Sequence, residues 1–290
     1  MFSELRTMYM LYKRIRYNII MTATKDKMET MVHQNRIVWE ETTRYSDKFG
    51  KVKPVEIIKE ILSVSYKARA DRVIRVFNDS MLTVAEAAVK AGLKPLVINA
   101  GSDNDPLKVL SVGSIGVELD LFRRSNLHAS LANNDCYPLR ETALLYASDV
   151  TIFKNDNFRL LRNPFVISVL TAPPIRRPGL VSSRAGDTIV DHYQNPTEAD
   201  RMQNIIDRIF KVALLKGHRC IIIDDYGCQR NCENPIHTII DMFNKAIKQY
   251  PVKYVFFAVS EPLLEQLNRD DKKSNPVYQN YITFDKLINS

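Results

Sequence analysis

The sequence predicts an α/β fold in which helices cover both faces of a mostly parallel β-sheet. Segments with helical periodicity alternate along the chain with short apolar runs, which favours successive strand–helix–strand units. Several of these runs are apolar at consecutive positions, as from Cys220 to Ile223, and this is typical of strands buried on both faces. Because ligands of such sheets bind beyond the carboxyl ends of the strands, we expect a site in the loops after Asn99, Thr171 and Asp225.

The first part of the chain supplies two predicted helices and four predicted strands. Residues 54–70 begin with Pro and place apolar side chains at helical spacing, so we expect a helix there. A second helix over 81–92 is capped by Asp79 or Ser80 and ends at Gly92. Short apolar runs predict strands at residues 72–77, 95–98, 150–153 and 165–170.

The last third of the chain has the clearest pattern. Residues 199–216 predict an amphipathic helix that ends at Gly217, and a buried strand follows at 220–223. Asn234 is the predicted cap of the next helix and Pro235 its first residue. The order closes with a strand at 253–259 and a helix at 261–268. The polar stretch 175–196 is predicted to be a surface loop, whose Arg176, Arg177 and Arg184 can contact either a phosphate-bearing partner or nothing at all.

The composition describes a globular protein with an excess of positive charge. Hydrophobic residues make up 45% of the 290 residues and charged residues 26%, which excludes a disordered chain. The net charge of +8 favours phosphate-bearing partners, nucleic acid among them, although a Lys/Arg excess spread over a solvated surface is the simpler explanation. We expect a basic extension over 1–34, which can form an amphipathic helix, and a single domain over 35–290.

Four cysteines are too few for a disulfide framework and indicate a reducing, intracellular compartment. Cys228 and Cys232 are close in sequence and His218 lies upstream, but a zinc site needs four well-placed ligands. Ordinary core or loop thiols are therefore the favoured interpretation, and we expect neither a metal nor a cofactor. No apolar run reaches the length of a membrane span.

Four stretches lie at the predicted strand ends: Ile98 to Pro106 with Arg123 to Leu127, Asp149 to Asp156, Ile167 to Pro173, and Tyr226 to Cys228 with Asn234 and Pro235. In their order and spacing across residues 35–260, these stretches resemble the microbial-type poly(ADP-ribose) glycohydrolases. The resemblance implies a macrodomain-like three-layer sandwich, with a twisted mixed sheet between helices, that binds ADP-ribose or an ADP-ribosylated protein.

The chain departs from that family at the loops that face the diphosphate. In the family, three consecutive glycines bring backbone amides close to the phosphates. Here the corresponding residues are Leu107, Lys108 and Val109, and the second loop carries Arg230 in place of a small residue. Lys108 and Arg230 can hold a diphosphate by charge, although solvated loop ends or cleft-filling side chains are the favoured interpretation.

The catalytic Gln-Glu-Glu of the family is changed as well. Its Gln corresponds to Val117, its first Glu is kept as Glu118, and the Glu that transfers the proton corresponds to Leu119. A Leu side chain can neither donate nor accept a proton, so the resemblance implies that ordinary hydrolase activity is lost. Glu118 and Asp120 are the candidates for a shifted catalyst, with a structural hydrogen bond or salt bridge as the favoured role of Glu118.

Three functions follow from these patterns. The favoured one is an inactive macrodomain-like protein that binds ADP-ribose weakly or acts as a scaffold in an assembly such as a viral particle. The second is ADP-ribosyl hydrolysis through Glu118 or Asp120, and the third is salt-dependent nucleic-acid binding. The candidate ligand-binding residues are Asn99, Lys108, Glu118, Thr171, Gly227, Cys228 and Arg230, and Asn99 is equally well suited to a plain turn.

Overall fold

A computed structural model of the chain describes residue 33 and residues 36–49, 53–61, 71–105, 117–132, 136–139, 143–185, 188–228, 232–259 and 276–288. The predicted extension over 1–34, apart from residue 33, and the predicted helix at 261–268 lie outside these residues. Within the described parts of the chain, no helix is both long enough and apolar enough to cross a bilayer.

Helices and strands alternate along most of the described chain. Helix α1 spans residues 36–46, and a short 3-10 helix, Asp47–Phe49, follows it. The strands are β1 (Glu56–Ile58), β2 (Val73–Phe77), β3 (Pro95–Asn99), β4 (Leu144–Lys154), β5 (Leu160–Thr171), β6 (Leu180–Ala185), β7 (Thr188–Tyr193), β8 (Cys220–Ile223) and β9 (Tyr254–Ala258). The remaining helices are α2 (Met81–Lys90), α3 (Val117–Arg124), α4 (Leu127–Ala132), α5 (Pro196–Leu215), α6 (Ile236–Gln249) and α7 (Pro276–Ile288).

Seven strands form one mixed sheet in the order β1-β4-β5-β3-β8-β9-β2. The neighbours from β5 through β3, β8 and β9 to β2 are parallel, while β4 runs antiparallel to both β1 and β5. Helices α2, α3 and α4 pack on one face, and α5, α6 and α7 pack on the other. Strand β3 is buried on both faces of the sheet. Val97 belongs to the core that packs against α2, α3 and α4, and Leu96 and Ile98 belong to the core that packs against α5, α6 and α7. The predicted sandwich with a mostly parallel sheet is confirmed.

Local sequence signals set several element ends as expected. The Ser80 hydroxyl accepts a hydrogen bond from the Thr83 N–H and caps α2. Gly92 and Gly217 follow α2 and α5 with positive φ angles of 76° and 74°, a backbone conformation that glycine adopts without steric cost.

Three predicted elements are wrong. Residues 56–58, inside the expected helix 54–70, form edge strand β1, because pairing with β4 outweighs the helical spacing. The expected surface loop at 175–196 contains a two-stranded hairpin, β6–β7. Pro235, rather than Asn234, is the residue before α6, and its side chain has no group that could cap the helix. The Asn234 side chain donates instead to the Ile175 carbonyl oxygen.

A polar cluster joins α2 and α3 to the turn between β4 and β5. The Asp156 carboxylate accepts hydrogen bonds from the hydroxyls of Ser80, at 2.8 Å, and Thr83, at 2.9 Å. It also accepts one from the buried Arg124 guanidinium at 2.6 Å. Both carboxylate oxygens are therefore used to hold the start of α2 against the end of α3.

Helix α1 is attached to the sheet by a lysine that has no exposed surface. The Lys154 Nζ donates to Glu41 Oε2 at 2.8 Å and to Thr42 Oγ1 at 2.9 Å, and lies 3.4 Å from the Val38 carbonyl oxygen. All three partners belong to α1. A buried ammonium group requires such partners, because an unpaired charge in the interior is costly.

Candidate functional site

The sheet brings two of the site residues predicted from the sequence side by side. Asn99 and Thr171 are the last residues of β3 and β5, and they are partners in the parallel register. The Asn99 Nδ2 donates to Thr171 Oγ1 at 3.2 Å, and both side chains are buried. This pair is the part of a polar cluster that the strands contribute, at the carboxyl edge of the sheet.

Glu118, in the first turn of α3, is the third member of this cluster. Its Oε1 accepts from Asn99 Nδ2 at 3.2 Å, and its Oε2 accepts from the Ser102 N–H at 3.0 Å. The side chain is buried, with only 8% of its residue surface exposed. Burial raises the pKa of the Glu118 carboxyl group to about 7, against the opposing effect of both hydrogen bonds. At neutral pH this group is therefore poised between its acid and its base form.

Gly101 allows the Glu118 carboxyl group to approach the chain so closely. A Cβ atom at position 101 would overlap Glu118 Oε1 and would lie 2.7 Å from Asn99 Nδ2. Neither of those atoms can move without breaking the hydrogen bond between them. A side chain at position 101 is thus incompatible with the Asn99–Glu118 contact.

Two buried polar atoms, one in this cluster and one on a residue near Glu118, have no hydrogen-bond partner among the described residues. They are the Oδ1 of Asn99, whose residue has no exposed surface, and the Oη of Tyr137. Burial raises the pKa of the Tyr137 phenol, and the nearby Glu118 carboxylate raises it further, so the phenol stays protonated. A buried polar atom costs about 1–3 kcal/mol when nothing pairs with it, so these two atoms call for a partner such as a ligand or an ordered water.

A second loop, which follows β8, borders the same edge. Tyr226 donates from its hydroxyl to the Ala172 carbonyl oxygen at 3.0 Å, just beyond the end of β5. The Asn234 amide donates to the carbonyl oxygens of Gly227, at 3.0 Å, and Ile175, at 2.7 Å. These bonds fix the loop 224–228 against the segment that leaves β5.

Gly227 is the tightest point of this loop. Its φ is +79°, and a Cβ there would lie 2.8 Å from Pro174 Cβ. Cys228 follows, and its backbone N–H donates to the Asp225 carbonyl oxygen at 3.1 Å. Burial raises the pKa of the Cys228 thiol well above its usual value, so this sulfur is a neutral thiol and not a nucleophilic thiolate.

This second loop also contains two adjacent carboxyl groups. Burial, with the neighbouring Asp225 charge, raises the pKa of Asp224 to about 8. Its Oδ1 accepts from the Tyr226 N–H at 2.9 Å. Asp225 Oδ2 accepts from Asn280 Nδ2 at 2.7 Å, which connects α7 to the loop. A proton on Asp224 at neutral pH lowers the negative charge that these carboxyl groups would otherwise present to an anionic ligand.

Asp120 and Leu119 are placed apart from the Asn99–Glu118 cluster. The Asp120 carboxylate accepts from Arg124 Nη1 at 2.8 Å and has Arg123 Nη2 at 4.0 Å. Leu119 has no exposed side-chain surface. Neither residue is in hydrogen-bond contact with Asn99, Thr171 or Ser102 in the described part of the chain.

Of the remaining residues singled out from the sequence, His218 is bonded to partners outside this cluster. Lys108 and Arg230 are outside the described residues. His218 bonds to Tyr146 Oη and to the Lys94 carbonyl oxygen, and no group of three or more potential metal ligands occurs among the residues that the structure describes.

Sequence reasoning missed Tyr137 and the position of Arg176. Tyr137 lies in the short segment 136–139, joined to the Asp103 carbonyl oxygen by the Leu139 N–H at 2.6 Å. Arg176 reaches from the start of the β5–β6 connection to the Gly101 carbonyl oxygen, 3.5 Å from its Nη2. No sequence motif marks either residue, because their proximity to Glu118 arises only from the packing of separate loops.

Comparison with solved structures identifies bacterial poly(ADP-ribose) glycohydrolases as similar folds. The enzyme from Thermomonospora curvata matches with a TM-score of 0.65 at 18% identity, over 88% of this chain and 99% of that one. Its complex with the inhibitor ADP-HPD matches with a TM-score of 0.62, at 18% identity over 87% and 99%. The enzyme from Deinococcus radiodurans in complex with ADP-ribose matches with a TM-score of 0.56, at 17% identity over 88% and 92%.

These similarities show that the chain has the macrodomain-like fold expected from the sequence resemblance. No protein-family model matches the chain, and no curated protein matches it.

Proposed function

We propose that this protein binds ADP-ribose, free or attached to a protein, at the carboxyl edge of its sheet and does not hydrolyse it. The observation that carries the proposal is the Asn99–Glu118–Thr171 cluster at the edge of a fold similar to an ADP-ribose-bound glycohydrolase. In open α/β sheets this edge is the usual ligand position.

The unpaired atoms of the cluster suit a ribose. Ribose hydroxyls both donate and accept hydrogen bonds, so they can donate to Asn99 Oδ1 and either accept from or donate to Tyr137 Oη. The buried pair would then recover the 1–3 kcal/mol or so that an unsatisfied polar atom costs.

We propose that the protein does not hydrolyse its ligand because neither Leu119 nor Asp120 is suited to transfer a proton at the site. Leu119, which the sequence resemblance aligns with the catalytic glutamate, has no group that transfers a proton and no exposed surface. Asp120 is held by the Arg124 guanidinium at 2.8 Å and makes no hydrogen bond to Asn99, Thr171 or Ser102 within the described residues. It is therefore not positioned to transfer a proton at this cluster.

One observation favours hydrolysis as a second candidate function. The Glu118 carboxyl group has its pKa raised to about 7 by burial, within the range in which a general acid and base works best at neutral pH. It also lies beside Asn99, next to the unpaired Oδ1. If hydrolysis occurs, Glu118 is the residue expected to transfer the proton.

Binding and turnover can be measured on the same set of proteins. Titration calorimetry with ADP-ribose, on the wild-type protein and on Asn99→Leu, tests the site, and Asn157→Leu is the control at an exposed asparagine. We expect the wild-type protein and the control to bind, and Asn99→Leu to lose binding. No heat from the wild-type protein up to millimolar ADP-ribose would overturn the proposal.

Release of ADP-ribose from poly(ADP-ribose) separates the two candidate functions. We expect no turnover by the wild-type protein. Turnover that Glu118→Gln abolishes and exposed Glu60→Gln retains would replace the binding function with hydrolysis through Glu118. Turnover lost only in Asp120→Asn would assign the shifted catalyst to Asp120 instead.

A further inference from the structure

Arg176 is a cation at the candidate site that no acidic side chain neutralises by an ion pair within the described residues. Its Nη2 lies 3.5 Å from the Gly101 carbonyl oxygen, at the long limit of a hydrogen bond. The residue is exposed, and its guanidinium has four further N–H donors that make no other hydrogen bond to the described residues. It thus retains donors for an incoming ligand.

The backbone that carries Arg176 is fixed on both sides. The Ile175 carbonyl oxygen accepts from Asn234 Nδ2 at 2.7 Å, and the Arg177 N–H donates to the Cys232 carbonyl oxygen at 2.6 Å. Ile175 itself is buried. The cation therefore projects from an anchored segment at a defined position.

The charge of Arg176 acts on both loops that border the carboxyl edge of the sheet. It acts to lower the pKa of Glu118, which contacts the loop after β3. It also acts to lower the pKa of Cys232, in the loop after β8, although burial keeps that thiol's pKa raised to about 11. The contact of Nη2 with Gly101 places the guanidinium at the loop after β3, and the bond from Arg177 to Cys232 places the next residue against the loop after β8.

The sequence gives a reason why a cation is needed there. Residues 107–109 are Leu, Lys and Val, so this loop has no run of glycines to bring successive backbone amides close to phosphate oxygens. Without such a cradle, the charge of a diphosphate has to be met by a side chain. Arginine is well suited, because its planar fork forms two parallel hydrogen bonds with phosphate oxygens.

We infer that Arg176 binds the diphosphate of the ligand through its guanidinium donors, in place of a glycine-lined backbone cradle. The inference rests on the proposed function, and it adds the residue that recognises the anionic part of the ligand. Asn99 and Glu118 would face the sugar, while Arg176 would face the phosphates.

The test measures affinity for three probes by titration calorimetry: ADP-ribose, inorganic pyrophosphate and adenosine. The variants are Arg176→Ala and Arg176→Lys, with Arg162→Ala, at an exposed position on β5, as the matched control. We expect Arg176→Ala to weaken ADP-ribose binding by about tenfold to a hundredfold, the usual range for a lost charge-assisted hydrogen bond. Arg176→Lys should recover only part of this loss, and Arg162→Ala should bind like the wild-type protein.

The probes distinguish failure of this inference from failure of the proposed function. If the wild-type protein binds ADP-ribose and Arg176→Ala binds it equally well, the inference is wrong and the proposed function stands. If the wild-type protein binds pyrophosphate through Arg176 but does not bind ADP-ribose, the anion site is real and the proposed ligand is wrong. Binding of adenosine that is equally strong in wild-type and Arg176→Ala proteins supports the inference, because adenosine has no phosphate.

Discussion

The Glu118 carboxyl group occupies the space that a side chain at position 101 would fill. Its Oε1 accepts a hydrogen bond from Asn99 across this space, at 3.2 Å. The candidate site therefore depends on a residue that contributes no functional group of its own.

Gly101→Ala is expected to destabilise the protein by about 1–3 kcal/mol, the usual cost of forcing extra volume into a packed site. The new methyl group would displace Glu118 or Asn99, so binding of ADP-ribose should be lost as well. Urea unfolding and calorimetry measure the two effects. Gly179→Ala is the control, since its methyl group would meet only the flexible end of the Gln194 side chain. Equal behaviour of the two variants would contradict the close packing at Gly101.

Glu118→Gln is expected to change how stability depends on pH. The folded state binds the Glu118 proton more tightly than the unfolded chain does, since burial raises the pKa from 4.5 to about 7. The tighter proton binding adds to the free energy of unfolding. This added stability is complete below pH 4.5 and is lost as the pH rises through 7, and its full size is roughly 3 kcal/mol.

The Gln variant lacks this titration, so between pH 5 and pH 8 the wild-type protein should lose stability relative to it. Denaturant unfolding at several pH values measures the difference, with Glu60→Gln as an exposed control. Parallel pH profiles for wild-type and Glu118→Gln proteins would show that burial does not raise the pKa of the Glu118 carboxyl group.

His218 is expected to destabilise the protein in mild acid. Its Nδ1 lies 3.0 Å from the Lys94 carbonyl oxygen, which only accepts, so Nδ1 carries the proton and the neutral ring takes the Tyr146 hydroxyl proton at Nε2. Burial lowers the pKa of His218 below 6.5. The unfolded chain therefore binds the proton first, and stability falls as the pH drops below that value. His218→Asn should show a flatter thermal-unfolding profile between pH 7 and pH 5, while a change at the exposed His192 should leave the profile unaltered.

Asp156→Ala is expected to cost about 1–3 kcal/mol, because it leaves donors of Ser80, Thr83 and the buried Arg124 without their acceptor. Hydrogen exchange should show the loss first in the amides at the start of α2. Asp191→Ala, which breaks one exposed hydrogen bond to Ser182, should stay within about 0.5 kcal/mol of the wild-type protein. Similar losses in both variants would argue against a structural role for the Asp156 cluster.

The sequence predicted the sheet core well because burial on both faces leaves a continuous apolar signal, as in Cys220–Ile223. It failed at residues 56–58, where helical spacing was misleading and partner β4 decides the structure. Asn99 and Glu118 were both predicted as site residues. They are 19 positions apart in the sequence, so no local sequence pattern indicates that they are in contact. Tyr137 was missed for the same reason, since its relation to Glu118 exists only in three dimensions.

Helix α1 supplies every partner of the Lys154 ammonium group within the described chain. A shortened protein that starts after residue 49 would therefore leave the Lys154 ammonium group without these partners, although its residue has no exposed surface when α1 is present. For anyone preparing this protein, the practical rule is that expression has to include α1, even though that helix is remote in sequence from the candidate site.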